Sequence, residues 1–181
     1  MRKLIALLLI AALTVPMLLA ADPDRAAQWK KVDEAIGKGL PKTAIAELEP
    51  IITSAIKDKA YPDAIRAVAL KISLEGNIQG NKPEEKITRL EKAIEDSPRP
   101  MKPMLNAILA NWYWHYFQQN RYRILQRTAT ASAPGNDFTS WDLPRLLSEI
   151  DKQFTVTLSM ADSLKDVPVA DYKDLLTPGT R

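Results

Sequence analysis

Residues suited to acid–base or nucleophilic chemistry are few in this chain, and their spacing works against a site. His115 is the only histidine, and there is no cysteine. Zinc sites and nucleophilic triads draw on histidine or thiolate with partners in reach, so neither a transition-metal centre nor a thiol nucleophile is expected. Serines and threonines are plentiful, yet none sits in a Gly-x-Ser-x-Gly elbow. The few glycines form neither a Walker loop nor a dinucleotide-binding loop. Glu84–Glu85 and Glu95–Asp96 are adjacent carboxylates. Neighbours on a helix diverge by about 100°, so these pairs read as solvated charge rather than as a general acid with its base. His115, between Trp114 and Tyr116, reads as structural. No catalytic, cofactor-binding or metal-ligating residue is assigned, no cofactor is expected, and the chain reads as non-enzymatic.

The sharpest feature is aromatic. Trp112, Tyr113, Trp114, Tyr116, Phe117 and Tyr122 crowd one stretch, with Arg121, Arg123 and Arg127 beside them. Such interleaving can build a stacking platform for single-stranded nucleic acid, or a carbohydrate or peptide groove. However, Trp112, Tyr113, Tyr116 and Phe117 continue a helical stripe that begins at Leu105, Ile108 and Leu109. That periodicity predicts a buried helix, with the arginines covering ring faces and capping carbonyls at its C-terminal end.

The elements that hold this block are helical throughout. Trp29, Val32 and Ile36 mark a first helix over 24–37, ended by Gly37 and Gly39. Pro41 opens a second, striped by Ala44, Ile45, Leu48, Ile51, Ile52, Ala55 and Ile56 and expected to kink at Pro50. Tyr61-Pro62 opens a third, with Gly76 and Gly80 closing it. Asn81 and Glu84 have the spacing of a capping box for a fourth. The segment Ser97-Pro98-Arg99-Pro100 stops that helix, and the aromatic helix follows from Pro103 to about Tyr122. Residues 128–140 read as a loop. Asp142 suits the N-cap of a sixth helix striped by Leu146, Leu147, Ile150, Phe154 and Leu158, and Val169, Tyr172, Leu175 and Leu176 suggest a short seventh. The expectation is an all-α fold: an irregular stack of antiparallel helix pairs, a tetratricopeptide-like α-solenoid of about six or seven helices.

The N-terminal segment differs in kind. Arg2-Lys3 precedes an apolar run from Leu4 to Leu19, and Ala20-Ala21 lead into Asp22-Pro23-Asp24. This is the pattern of a cleaved signal peptide over 1–21, leaving a single helical domain over 22–181. The run is shorter than the roughly 20 residues a spanning helix needs, and Pro16 interrupts it, so no membrane span is expected after cleavage. Export to the periplasm or the exterior follows. Removing Arg2 and Lys3 from the 25 basic residues leaves 23 against 22 acidic, or +1. That balance carries no footprint for nucleic acid.

Three segments together support a resemblance. Leu40-Pro41-Lys42-Thr43-Ala44 follows soon after Trp29. Tyr113-Trp114 leads into Tyr116-Phe117-Gln118-Gln119-Asn120-Arg121-Tyr122 and on to Arg127-Thr128. Asp137-Phe138-Thr139 precedes Trp141-Asp142-Leu143 and the helix that contains Asp151. Over roughly residues 25–176 the chain resembles the N-terminal helical region of large bacterial alpha-2-macroglobulin-like proteins. The resemblance implies an envelope or secreted endopeptidase inhibitor that entraps proteases when a bait segment is cut. The chain departs from that family in lacking a Cys-Gly-Glu-Gln thioester, a bait segment and a series of β-sandwich domains. What the resemblance implies is therefore the helical N-terminal module of a longer protein, a spacer or docking unit whose partner is a protease or envelope protein. No site residue carries over. The alternative is a stand-alone periplasmic helix-repeat scaffold that binds a peptide or protein in a groove lined by Tyr113, Tyr116 or Tyr122.

Overall fold

A computed structural model describes residues 23–80, 82–127, 135, 137–165, 167–173 and 175. The signal-peptide segment and the Asn81 cap lie outside these residues. The described residues contain no strand. They form α1 (Pro23–Gly37), α2 (Pro41–Lys57), α3 (Tyr61–Ile78), α4 (Pro83–Asp96), α5 (Lys102–Leu125) and α6 (Leu143–Ser159), with short 3-10 turns at Arg99–Met101, Phe138–Ser140, Ala161–Ser163 and Val169–Tyr172. The expected seventh helix is thus a single 3-10 turn after Pro168. Leu176 lies outside the described residues.

Turn chemistry sets the first reversals. Only residues 38–40 join α1 to α2, and only 58–60 join α2 to α3, so the chain doubles back at each. Both turns use one hydrogen-bond pattern. The Leu40 N–H donates to the Ala35 carbonyl at 2.9 Å, and the Ala60 N–H donates to the Ala55 carbonyl at 2.8 Å. Each encloses a left-handed residue, Gly39 at φ 67° and Lys59 at φ 59°. A proline then opens the following helix, where its missing N–H would have had no helical partner. The α2 helix runs through Pro50 on its exposed side, where water can satisfy the carbonyl that loses its partner.

Each helix packs on the next in sequence, and α3 also meets the turn at Val169–Tyr172. The α3 helix belongs to two apolar cores. Ala67 and Leu74 pack with Trp29, Val32, Leu48 and Ile51 of the first two helices. Ala64, Ile65 and Ile72 pack with Leu90, Leu105, Leu109 and the aromatic residues of α5. Its broad apolar arc serves both sides, as expected of a helix enclosed by neighbours. Arg25, itself buried, ties α1 to the α2–α3 turn through Asp58 at 2.6 Å and to the first turn of α3 through Asp63 at 3.4 Å.

Two glycines expected to end α3 have different roles. Gly80 is in the left-handed region at φ 88° beyond the helix end. Gly76 lies inside the helix and is buried. A methyl group built there would sit 2.7 Å from Cγ of Lys86. Gly76 therefore lets the stem of Lys86 from α4 lie directly against α3, a close approach that only a residue without Cβ permits.

The aromatic helix is longer than its periodicity indicates, reaching Leu125. Tyr113, Tyr116 and Phe117 are buried, as the stripe predicts. Trp112 is half-buried, while Trp114 and Tyr122 are exposed. Phe138, carried in from the following 3-10 turn, fills the space between the tyrosines. Its ring meets Tyr113 at 5.3 Å and Tyr116 at 5.1 Å, both edge to face. Trp141 stacks on Tyr113 at 6.1 Å. Tyr113, Tyr116, Phe138 and Trp141 thus meet as one aromatic core.

Candidate functional site

A recess of about 400 Å³ opens between α4, α5 and α6. Helical spacing delivers its lining. Glu91, Ile94 and Glu95 come from one face of α4, and Asn106 and Leu109 from one face of α5. Arg145, Glu149, Lys152 and Gln153 share one face of α6, with only Glu149 and Gln153 buried, and Trp141 contributes at one edge.

The α6 helix is rotated away from the orientation its apolar stripe predicts. At 100° per residue, Leu146 and Ile150 lie on one side of the apolar arc, and Leu147, Phe154 and Leu158 on the other. Only Leu146 and Ile150 enter the core. Beside them the helix buries Glu149 and Gln153 and turns the other three outward. Phe154 is 44% exposed and Leu158 72% exposed. Thr157 fixes this rotation by donating to the Pro103 carbonyl at 2.9 Å. The cap is as expected, with the Asp142 carboxylate accepting from the Arg145 N–H at 3.0 Å.

The buried polar groups on this side form a network. Glu149, 6% exposed, accepts from Gln153 Nε2 at 2.7 Å and from Lys152 Nζ at 3.0 Å. Arg145 approaches the same carboxylate at 3.9 Å and lies over the Trp141 ring at 4.7 Å. Across the recess, Tyr113 Oη donates to Glu91 Oε1 at 2.6 Å. Burial first, and then the hydrogen bond and negative charge of Glu91, push the Tyr113 phenol well above its ordinary pKa. Glu149 adds to that rise and Arg145 opposes it. Burial likewise raises Tyr116 and Tyr172.

Arginine roles differ from those the sequence suggests. Arg127 does not cap its own helix. Its Nη1 donates to the Trp141 carbonyl and its Nη2 to the Thr139 carbonyl, each at 2.5 Å, binding the Phe138–Ser140 turn to the end of α5. Arg123 donates to Tyr116 Oη at 3.0 Å. The described guanidinium–ring pairs are Arg145 over Trp141 and Arg66 over Trp29, not the three arginines of the aromatic stretch. Asp137 accepts from the Thr139 hydroxyl at 2.7 Å and from its N–H at 3.0 Å, and these bonds hold its carboxyl below the usual range.

His115 is exposed rather than part of the core. It borders a smaller recess of about 140 Å³ with Trp112, Gln119, Ser73 and Lys86, and no carboxylate lines that recess. Among the described residues no group of three or more His, Asp or Glu side chains is placed to hold a metal ion. No described helix is long and apolar enough to cross a membrane. Of the three tyrosines expected to line a groove, Tyr113 and Tyr116 are buried and Tyr122 is 78% exposed.

The polar recess was not foreseen. Glu91, Asn106, Glu149 and Gln153 lie far apart in sequence, and each reads locally as ordinary helix-surface polarity. The available signal was Glu149 and Gln153 flanking Ile150 at helical spacing. No protein-family model matches this chain, and neither a curated protein nor a solved structure matches it.

Proposed function

We propose that this chain is a non-catalytic docking and spacing module, exported by its N-terminal leader and acting as the helical N-terminal unit of an alpha-2-macroglobulin-like envelope protein. The carrying observation is the outward half of the α6 stripe. Leu147, Phe154 and Leu158 fall within about 40° of one another around the helix axis and stay exposed while α6 buries Glu149 and Gln153. A helix that turns apolar side chains outward and polar ones inward offers a surface for another protein. Packing of each helix on its sequence neighbour supports the finer reading of an irregular tetratricopeptide-like stack. Some of the residues on which the resemblance rests, Tyr113, Tyr116, Phe117, Phe138 and Trp141, lie in the aromatic core, which supports a likeness in architecture rather than in a reaction.

The test has two parts. Coding sequence read beyond Arg181 is expected to continue into macroglobulin β-sandwich domains, and a frame that ends there removes the module from that architecture. In the full encoded product, Phe154→Ser with Leu158→Ser is expected to loosen the helical unit from its neighbour, read as faster proteolysis at the junction. Unchanged proteolysis would remove the docking face.

A further inference from the structure

We propose that the outer side of the α5–α6 pair, turned away from α4, docks a second copy of this chain in a two-fold symmetric dimer, an occupant that rests on the reading of α6 as a docking face.

Both helices build this side. The recess toward α4 is lined on α6 by Arg145, Glu149, Lys152 and Gln153, and on α5 by Asn106 and Leu109. At 100° per residue, Leu147, Phe154 and Leu158 lie on the opposite side of α6, beyond Leu146 and Ile150. On α5, Trp114 and Leu125 fall within about 20° of each other and about 140–160° around from Leu109. Trp114 is 42% exposed and Leu125 52% exposed. The two helices pack on each other, so the two apolar stripes border one surface. Large apolar side chains gathered in this way mark a protein contact rather than ordinary solvent-facing helix.

The charges specify what covers it. The α5 helix has no carboxylate along its whole length. Within about 60° of its exposed stripe it carries one charge, Arg121, and the matching sector of α6 carries one, Asp151. Both side chains are exposed, and neither makes an ion pair among the described residues. One half of the surface is therefore positive and the other negative. A uniformly basic partner would meet Arg121, and a uniformly acidic one would meet Asp151. A partner divided in the same way answers both, and a second copy is divided in the same way. In a two-fold contact each pairing occurs twice. Laying α5 of one copy across α6 of the other sets Arg121 against the partner's Asp151, and symmetry repeats the pair. Trp114, Phe154 and Leu158 supply the apolar centre that such a contact needs. The mature chain, with 23 basic against 22 acidic residues, puts little net repulsion between copies.

The experiment is sedimentation equilibrium on the intact chain and its variants. A dimer is expected with a dissociation constant of about 10 μM or less. Arg121→Asp alone and Asp151→Arg alone each place like charges in contact twice, and each should weaken the dimer at least about tenfold. The double reversal should restore it. All the substituted side chains are exposed, and circular dichroism checks that each variant keeps its helices. A chain that is monomeric up to about 100 μM overturns the dimer. So does a dimer indifferent to the single reversals, which would point to association through the apolar N-terminal run, and so does a double reversal that restores nothing. Failure of the dimer is distinct from failure of the docking face. A monomeric chain whose full product still becomes more sensitive to proteolysis on Phe154→Ser with Leu158→Ser keeps the face and loses the second copy.

Discussion

The hydroxyl of Tyr113 donates to the carboxylate of Glu91 at 2.6 Å and thereby joins α5 to α4 at the inner wall of the recess. The ring of the same tyrosine packs edge-on to Phe138 and stacks on Trp141. One side chain therefore couples the aromatic core to the polar recess, and the two faces of α5 cannot be altered independently.

Replacing Tyr113 separates these contributions. Tyr113→Phe keeps the ring and removes the donor to Glu91, and should lower stability by about 1–2 kcal/mol. Tyr113→Ala empties the centre of the cluster and should cost about 3–5 kcal/mol. Trp112→Ala, at a half-buried ring, should cost less than Tyr113→Ala. Urea melts of the three variants check the order, and a larger loss for Trp112 would contradict the burial pattern.

Alkaline unfolding should follow from the same burial. Tyr113, Tyr116 and Tyr172 all hold their phenolic protons more tightly when folded. Above the ordinary tyrosine pKa of about 10, the unfolded chain releases protons that the folded chain keeps. Stability fully present below that pH therefore falls as pH rises beyond it. Thermal melts between about pH 8 and 11 should show the decline, and Tyr113→Phe should flatten it. A melting temperature that is level across this range would refute the assignment.

Arg127 should behave as a clamp. Its two charge-assisted bonds to the Thr139 and Trp141 carbonyls hold Phe138 over the tyrosines. Arg127→Ala should lose about 1.5–3 kcal/mol and speed hydrogen exchange at residues 138–141. Arg127→Lys should not rescue the variant, because a single ammonium cannot reproduce the fork. Full rescue by lysine would mean that charge alone matters here.

Lys59 carries backbone strain that its counterpart Gly39 avoids. At φ 59°, a side chain crowds the following carbonyl. Lys59→Gly should raise stability by up to about 1 kcal/mol, read as an upward shift in the urea midpoint. A loss instead would show that the lysine side chain contributes more than its strain.

Local patterns in the sequence determined the helices. The i, i+3, i+4 spacing around Leu48 and Tyr113 identified buried faces, and the prolines at 41, 62 and 103 marked starts. These signals are legible because they lie within one or two turns of chain. Gly76 was misread as a helix end because a glycine inside a helix differs from one beyond it only through what packs against it, here Lys86. The α6 stripe was only half right for a related reason. Its apolar arc is wider than the face the neighbouring helices can cover, and Thr157 helps decide which half is covered through its bond to the Pro103 carbonyl of α5. The recess itself, with Glu91 facing Asn106 and Glu149 across three helices, was decided by tertiary structure alone. Its members stand up to some sixty residues apart along the chain, and no helical period relates residues on different rods.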